Sequence, residues 1–457
     1  MPFLFIRYIL PVWYNYLPYE GDCPYFPDYD KLSSTSNKTL LNLDLAYSCR
    51  EVTKIDAAYQ AWNKGFILQD PTIKLNTEGI KPTISDNYRF VRKYFHPFWS
   101  WYILSLRILT LHNPIKEIAA FIKNLRVRRI DLYEKVYPHE HSFQQFESRL
   151  LKSAPKVSVI IPTLNRYHYL RDALNDLEKQ YYKNFEVIVV DQSEPFQPEF
   201  YEQFHLDLKL IRQEEKALWL ARNTAIKLSG AEYLLLFDDD SRVAPDWISQ
   251  HLKCLDYFNA EISSGVSISA VGAKIPENYS FFRWGDQVDT GNVMIHRRVF
   301  EKVGLFDRQF EKQRQGDGEF GLRAYLAGFK NVSNPYAKRL HLKVGEGGLR
   351  QMGSWDGFRP KSWLAPRPVP SVLYLTRKYF GNKAAIHSLL TGVPPSLIPY
   401  RFKRQPILLL FGSLLVFPFF PFVCWQVFKS WRIADKMLKE GAKIEYLQQH
   451  EHNAQNP

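Results

Sequence analysis

Short β-branched runs alternate with helical stretches between residues 156 and 240, and this order constrains the fold more than any other feature. Four segments have the character of strands: KVSVIIP, FEVIVVDQS, LKLIRQ and YLLLFDDD. Two segments between them have helical spacing: RYHYLRDALNDLEKQ and LWLARNTAIKLS. Because strands that alternate with helices form βαβ units, the sequence predicts an α/β fold with a mostly parallel sheet.

Polar residues follow three of these predicted strands, at residues 163–166, 191–193 and 238–240. Ligands bind beyond the carboxyl ends of strands in such sheets, so the polar groups lie where a site is expected. The third group is three consecutive aspartates after an apolar run. Asp238 and Asp240 are two residues apart and can face the same way. Paired carboxylate oxygens suit Mg²⁺ or Mn²⁺, and a metal there would bind a diphosphate.

Composition narrows the range of partners. The 457-residue chain has a formal net charge of +13, which favours anionic partners such as phospholipid or phosphorylated small molecules. No Lys-rich tail stands apart from the folded regions, so we expect no nucleic-acid partner. The 4 cysteines are scattered without a CxxC pair, which argues against a zinc site or a disulfide framework.

The sequence predicts three regions. Residues 1–150 are an aromatic-rich N-terminal extension of unknown role, with helices near 98–130. Residues 151–360 form the catalytic domain, and residues 361–457 form a C-terminal region with a basic helical tail. Within the extension, PIKEIAAFIKNLRVRR places apolar and basic residues at helical spacing. Two interpretations are open: a helix lying on a membrane surface, or a solvated helix packed on the next domain.

The C-terminal region contains an uncharged apolar segment near residues 406–428. It is long enough to cross a hydrocarbon layer of roughly 30 Å, but Pro418 and Pro421 interrupt it. Basic residues flank both ends: Arg401, Lys403, Arg404, Lys429, Arg432 and Lys436. Because basic flanks prefer the cytoplasm, we expect a re-entrant hairpin with the catalytic domain on the cytoplasmic side. A kinked single span and a buried core helix are the alternatives.

Two chemistries place aspartates at the end of a strand. In a phosphohydrolase of the haloacid dehalogenase type, Asp238 would be the nucleophile and Asp240 the acid. That motif belongs on the first strand of its sheet, whereas here it follows several strands. In a nucleotide-diphosphate-sugar transferase, the aspartates hold the metal that binds the leaving diphosphate. The second chemistry fits the order of elements.

Six segments occur in an order that resembles the family-2 glycosyltransferases with the GT-A fold. They are VSVIIPTLNRYHYL, VIVVDQS, ARNTAI, LLLFDDDSRVAPDW, TGNVMIHRRVFEKVGLFD and GDGEFGLRAYLAGF. The resemblance covers roughly residues 155–350. It implies a Rossmann-like catalytic domain that transfers a hexose from a nucleotide sugar with inversion, using Mn²⁺ or Mg²⁺.

The resemblance also implies roles for single residues. It places Asp191 on the nucleotide base, Asp239 on the sugar or ribose, and the metal on Asp238, Asp240 and His341. The other nucleotide-sugar contacts that it implies are Pro162, Thr163, Asn165, Arg166, Arg222 and Asn223. Asp289, Gly291 and Asn292 are candidate acceptor-side residues, and Trp284 is a candidate for stacking on a sugar face.

The general base is expected at the start of a helix, in QGDGEFGLR. The resemblance implies Asp317, and Glu319 is the competing candidate. The family often has a glutamate directly before this aspartate, whereas this chain has Gly316. An ionised carboxylate there takes the proton of the acceptor hydroxyl as that oxygen attacks the sugar.

Together these features predict a membrane-associated inverting glycosyltransferase in polysaccharide or glycoconjugate biosynthesis. Its expected donor is a UDP-sugar, and its expected acceptor is a saccharide or a lipid-linked saccharide. The alternative is a catalytically inactive, membrane-anchored protein that binds a glycan or a nucleotide. The presence of Asp191, the DxD pair and Asp317 together argues against that alternative.

Overall fold

A computed structural model describes residues 2–33, 37–269, 275–285, 288–344, 349, 357–360, 362–399, 402 and 405–447. The chain divides into two compact units. Unit 1 contains residues 1–144, 281–284 and 376–418, and unit 2 contains residues 145–280, 285–375 and 419–457. The basic residues predicted to precede the apolar segment (Arg401, Lys403 and Arg404) lie outside the described residues.

The strands are β1 Val157–Thr163, β2 Phe185–Asp191, β3 Leu208–Arg212, β4 Tyr233–Phe237, β5 Ser241–Val243, β6 Ile262–Ser269, β7 Arg283–Trp284, β8 Asn292–His296 and β9 Asn331–His341. The helices are α1 Ile6–Ile9, α2 Arg50–Asn63, α3 Ile84–Tyr94, α4 Phe98–Leu109, α5 Pro114–Lys123, α6 His139–Gln145, α7 Arg149–Ser153, α8 Tyr167–Glu178, α9 Leu218–Leu228, α10 Trp247–Tyr257, α11 Arg297–Val303, α12 Gly316–Leu326, α13 Pro370–Gly392, α14 Pro406–Leu414 and α15 Phe420–Glu440. Short 3₁₀ turns lie between several of them.

The sheet of unit 2 has the order β3-β2-β1-β4-β8-β6-β9-β5 within the described residues. Strands β3, β2, β1 and β4 pair in parallel with one another. β8 runs antiparallel to β4 and to β6, whereas β6 and β9 are parallel and β5 and β9 are antiparallel. The α/β class and the parallel half are therefore confirmed. The other half is mixed, so "mostly parallel" describes only the half that the alternating sequence pattern covers.

Burial explains why the parallel strands form where the sequence predicts them. All seven residues of β1 and all five of β4 are buried, because helices cover both faces of a parallel sheet. Helix α8 lies in the segment predicted to be helical and buries Leu170, Ala173, Leu174 and Leu177. Their i, i+3, i+4, i+7 spacing places them on one face of the helix. The register aligns Thr163 with Asp191, so the polar ends of β1 and β2 are neighbours.

Unit 1 has apolar cores of its own. One core packs α3, α4 and α5 together through Tyr88, Val91, Ile103, Leu104 and Phe121. Another includes the stacked rings of Phe3 and Phe90, with centroids 4.1 Å apart. The aromatic content of the N-terminal residues is therefore used largely inside unit 1.

The C-terminal apolar segment forms two helices, α14 and α15, separated by residues 415–419. Among the described residues, no helix combines the length and the apolar character needed to cross a membrane. After α15, the chain packs along the segment that precedes α12. The Leu305 amide donates to the Glu445 carbonyl over 2.8 Å, and the Lys443 amide donates to Asp307 Oδ1 over 2.9 Å.

Candidate active site

The site is built around the three aspartates that follow β4. Asp238, Asp240 and His341 each offer one ligand atom, and these three atoms lie within 4.8 Å of one another. His341 is brought there by strand pairing, because β5 and β9 align Ser241 with His341. The three residues that the sequence proposed as metal ligands are therefore neighbours in space, although His341 lies about a hundred residues further along the chain.

Asp238 is held by two arginines. Its Oδ1 accepts from Arg222 over 2.8 Å, and its Oδ2 accepts from Arg339 over 2.9 Å. Both guanidiniums are buried, with 1% and 2% of their side chains exposed. Burial acts to lower the pKa of Arg339, but the charges of Asp289 and Asp238 raise it above its ordinary value. The arginine therefore stays protonated, and the charge of Asp238 is compensated within the protein.

Asp239 faces the loop after β1. Its Oδ2 accepts from the Thr163 hydroxyl over 2.8 Å, and its Oδ1 accepts from Arg166 over 3.0 Å. Burial raises the pKa of Asp239 to about 6, although the charge of Arg166 acts in the opposite direction. The predicted nucleotide-side residues Thr163 and Arg166 are thus in direct contact with the aspartate triplet.

Asp240 lies between Arg166 and His341. Its Oδ2 is 3.3 Å from Arg166 and 3.4 Å from His341 Nε2. Burial acts to raise the pKa of Asp240, but the hydrogen bond from His341 and the charge of Arg166 more than offset it, and the pKa lies below its ordinary value. The carboxylate is therefore ionised at neutral pH.

This donor set fits a divalent cation. Two carboxylate oxygens and one imidazole nitrogen converge, and carboxylate oxygens are ligands that suit Mg²⁺ and Mn²⁺. Arg166 and Arg222 lie beside the same carboxylates, where they would meet the phosphates of a metal-bound ligand.

Asp191, at the end of β2, is fully buried and accepts three hydrogen bonds. Its Oδ2 accepts from the hydroxyls of Tyr167 and Tyr201 over 2.7 and 2.8 Å, and its Oδ1 accepts from the Ser193 amide over 2.8 Å. Asn165 adopts a left-handed conformation with φ of 54° and accepts from the Glu194 amide over 2.9 Å. Asn165 and Asp191, which the resemblance assigns to the nucleotide, therefore link the loop after β1 to the loop after β2 by hydrogen bonds.

Two further nucleotide-side residues lie within the fold. Pro162 is buried in β1, opposite Val190 of β2. Asn223 is fully buried, and its side chain exchanges two hydrogen bonds with the backbone of Phe306, over 2.9 and 3.0 Å. Asn223 thereby fixes α9 to the segment before α12. The contacts of both residues with a diphosphate or a base stay predictions.

The two base candidates have different surroundings. Glu319 is fully buried, and both of its oxygens accept from Arg323 Nε, over 3.0 and 2.9 Å. Asp317 is half-buried in the first turn of α12, and its Oδ1 accepts from the Gly318 amide over 2.8 Å. The glycine before it has a physical reason: a Cβ on Gly316 would lie 2.4 Å from the Trp219 ring.

The four acceptor-side candidates differ in their surroundings. Asp289 accepts from Arg339 over 3.0 Å, and Gly291 lies so close that a Cβ there would be 2.0 Å from Arg339 Nη1. Asn292 is fully buried, and its Oδ1 accepts from Trp247 over 2.8 Å. Trp284 is fully buried in unit 1 against Tyr25, with ring centroids 4.9 Å apart. The acceptor roles of all four residues stay predictions.

The sequence did not identify Arg339 as part of the site. Its Nε donates to Ser267 over 2.7 Å, and its two terminal nitrogens reach Asp238, Ser241 and Asp289. The only local signal is an arginine two residues before His341 in a strand, since residues two apart on a strand share a face. Tyr167 and Tyr201 were missed for the same reason, because their contacts form only in the fold.

Comparisons with known proteins find similar sequences for the part of the chain that contains the site. Residues 158–310 match the family model described as Glycosyl transferase family 2. The chain is 28% identical over 166 residues to glycosyltransferase GlyA of Streptococcus pneumoniae serotype 4, covering 35% of this chain and 22% of that protein. It is 29% identical over 235 residues to chondroitin synthase of Escherichia coli, covering 50% of this chain and 31% of that protein. The aligned parts therefore span less than a third of either relative.

Among solved structures, the chain is similar to S. aureus TarS 1–349 in complex with UDP-GlcNAc. The TM-score is 0.43 and the identity 18%, with 64% of this chain and 93% of that chain covered. The family match runs from β1 to the segment before α12 and includes the three aspartates after β4. The part of the chain that contains the candidate site therefore matches the family 2 glycosyl transferases.

Proposed function

We propose that this protein transfers a hexose from a nucleotide-diphosphate donor, most simply a UDP-sugar, to a saccharide or lipid-linked saccharide acceptor, with inversion at the anomeric carbon. The convergence of Asp238, Asp240 and His341 beside the cationic side chains of Arg166 and Arg222 carries the proposal. An anionic diphosphate needs both a metal on carboxylates and protein cations, and this arrangement offers both.

In this proposal Asp240 and His341 hold Mn²⁺ or Mg²⁺, with Asp238 as the third ligand. The bound cation supplies electrostatic stabilisation of the negative charge that develops on the leaving diphosphate. Arg166 and Arg222 would orient the phosphates, since a guanidinium matches phosphate oxygens in two-point contacts. Asp239 would then exchange its contact with Arg166 for one with the ribose or the sugar.

The nucleotide would lie over the ends of β1 and β2. Asp191 is fixed by Tyr167, Tyr201 and the Ser193 amide, so its carboxylate cannot turn freely. A fixed acceptor at this place suits the N–H donor of a uracil ring. The rigid pairing of the loops at Asn165 and Glu194 supports the same placement.

Asp317 is the proposed general base. It would take the proton from the acceptor hydroxyl while that oxygen attacks the anomeric carbon. Its partial exposure and its place at the start of α12 favour it over Glu319, whose two oxygens are occupied by Arg323.

The acceptor and the location of the protein belong to the proposal as well. Chondroitin synthase, one of the relatives, bears the name of a polysaccharide-forming enzyme. The apolar residues of the 406–428 segment that are exposed, such as Phe411, Phe417 and Phe428, support association with a membrane. We propose that the catalytic domain works on the cytoplasmic face, on an acceptor held at or near the lipid.

Calorimetry on the detergent-solubilised protein tests the site. UDP, GDP and dTDP are titrated with and without Mn²⁺ into the native protein, an Asp240→Asn variant and an Asp207→Asn control. Asp207 is 61% exposed and directly precedes β3, at the edge of the parallel strands opposite to Asp191. We expect metal-dependent binding of UDP that is lost in Asp240→Asn and kept in Asp207→Asn. Absence of nucleotide binding under every metal condition would refute the proposal. Binding without sugar turnover would favour an inactive binding protein.

A further inference from the structure

Helices α4 and α5 of unit 1 are apolar on two faces. One face of each helix is buried in unit 1: α4 contributes Ile103 and Leu104, and α5 contributes Ala120 and Phe121. A surface helix normally needs only this one apolar face, with polar residues opposite. In both helices, however, the opposite face is also apolar and lies open to solvent.

The exposed residues form continuous stripes. On α4 the exposed positions 98, 101, 105 and 108 have helical spacing, and all but Ser105 are large and apolar. On α5 the exposed apolar positions are 115, 118 and 122, also with helical spacing. The large apolar residues and their exposed fractions are Phe98 56%, Trp101 55%, Ile108 37%, Leu109 79%, Leu111 94%, Ile115 79%, Ile118 42% and Ile122 58%. The largest fractions lie at the turn between the helices. Eight such residues in one stretch of chain exceed the scattered apolar residues that are normal on a soluble surface.

The charges around this surface have one sign. Residues 98–130 contain six Lys or Arg residues and a single acid, Glu117. Glu117 is buried and accepts from Arg107 over 2.7 Å and from Tyr88 over 3.0 Å, so its charge is compensated inside unit 1. The other five basic residues are exposed: Lys116, Lys123, Arg126, Arg128 and Arg129. The exposed charges of residues 98–130 are therefore all cationic, and two of them, Lys116 and Lys123, lie on α5 itself.

We propose that the α4–α5 hairpin is a docking surface for an anionic phospholipid bilayer. Its apolar stripe would lie at the boundary of headgroups and acyl chains, with Trp101 in the interfacial layer that tryptophan prefers. The five exposed cations would contact headgroup phosphates. The inference rests on the membrane association contained in the proposed function and assigns it a surface that is separate from the C-terminal segment.

Charge argues against a second copy of the chain as the occupant. Two copies that met through this face would bring two sets of five cations together, and like charges across an interface oppose association. An anionic bilayer instead offers counter-charges and an apolar layer in the order in which the hairpin presents them. The surface therefore fits lipid better than it fits itself.

A site-specific probe on the full-length protein tests the inference. The exposed cysteines are first removed by Cys49→Ser and Cys424→Ser, and a solvent-sensitive fluorophore is attached after Leu111→Cys. A matched label is attached after Leu45→Cys, because Leu45 is also in unit 1 and is 83% exposed. With vesicles of phosphatidylcholine and phosphatidylglycerol, the label at 111 should shift to the blue and brighten several-fold, and the label at 45 should not change. Pure phosphatidylcholine should give a weaker response at 111.

A binding measurement completes the test. Combining Leu109→Glu, Leu111→Glu and Ile115→Glu should weaken sedimentation with anionic vesicles at least about tenfold, whereas Leu45→Glu should not. Native-like vesicle binding by the triple variant, an unchanged label at 111, or a response at 111 to protein concentration without lipid would each overturn the inference. UDP binding is measured in parallel. If neither the native protein nor any variant binds UDP, the proposed function is contradicted. The vesicle result still tests the docking surface, because it does not depend on UDP.

Discussion

At the scale of single residues, the site is crowded with cations in addition to carboxylates. Arg166, Arg222 and Arg339 each contact the aspartate triplet. The sequence identified the first two through motifs, but Arg339 lies in a strand whose local pattern is unremarkable. Its importance comes from Gly291, Ser267 and Asp289, which strand pairing brings around it. Such a network is invisible until long-range pairings are known.

Arg339 provides the first prediction. Arg339→Gln should lower the free energy of unfolding by about 3–5 kcal/mol, because it removes the buried arginine partner of Asp289 and leaves Asp238 with Arg222 alone. Arg50→Gln is the control, since the Arg50–Asp30 pair is on the surface with 72% of the arginine side chain exposed. Its cost should be at most about 1 kcal/mol. Urea unfolding measures both, and equal costs for the two variants would contradict the assignment.

Two glycines in α12 give a second prediction at this scale. Gly316→Ala forces a Cβ to within 2.4 Å of the Trp219 ring and should cost about 1–3 kcal/mol of stability. At Gly318 a Cβ would meet nothing within 4 Å, so Gly318→Ala should stabilise the helix by up to about 1 kcal/mol.

Gly316→Ala tests the packing of α12 against Trp219, whereas Gly318→Ala tests helix propensity without that contact. Trp219 lies beneath Arg222, with the guanidinium 5.4 Å from the ring, so displacement of the ring should also weaken UDP binding in Gly316→Ala. Thermal unfolding and UDP titration are measured on both variants. If both alanines stabilised the protein alike, the close approach of Trp219 to α12 would be wrong.

At the scale of elements, the sequence predicted the parallel strands well and the others poorly. β1, β2 and β4 are β-branched or leucine-rich runs bounded by polar residues, and local pattern is enough to locate them. The insertion of β8 between β4 and β6 depends on pairing between residues distant along the chain. No local pattern specifies that order. The position of His341 depends on it, because β9 carries His341 to β5.

The packing of α10 on β6 and β8 yields a prediction about pH. His251 is fully buried between Ser263 and Asn292, and burial lowers its pKa to about 4. The unfolded chain protonates this histidine near its ordinary pKa of about 6.5, whereas the folded protein does not. Above about pH 6.5 the ring is neutral in both states and does not change the free energy of unfolding. As the pH falls from about 6.5 to about 4, only the unfolded chain binds a proton at His251, so the free energy of unfolding falls.

The expected size follows from the shift in pKa. His251 should contribute about 3 kcal/mol to the fall in unfolding free energy over that interval. His251→Gln keeps a hydrogen-bonding side chain but cannot be protonated, so its stability should depend less steeply on pH there. Urea unfolding at several pH values compares it with His205→Gln, in an exposed loop. If the free energy of unfolding depended on pH equally in the native protein and in His251→Gln, a buried, neutral His251 would be ruled out.

At the scale of the whole molecule, the sequence separated regions by composition but could not specify how they group. Residues 376–418 belong to unit 1 together with the N-terminal residues, although the whole of the catalytic domain lies between them. The predicted sites, apart from Trp284, all lie in unit 2. The docking hairpin lies in unit 1. The candidate active site and the docking hairpin thus belong to different compact units of one chain.

Net charge gives the last prediction, which concerns the full-length protein. With a formal charge of +13 and five exposed cations in and directly after α5, binding to anionic vesicles should weaken as salt is raised, because the ions screen charges beyond about 10 Å at 0.1 M. The apolar contribution of the exposed stripe does not depend on such screening, so a residual affinity should remain at high salt. Combining Lys116→Gln with Lys123→Gln should flatten the salt dependence, whereas Leu111→Glu should remove much of the residual affinity. Sedimentation with vesicles across a salt series measures both effects, and an affinity that salt abolished entirely would show that charge alone, without the apolar stripe, holds the protein at the lipid.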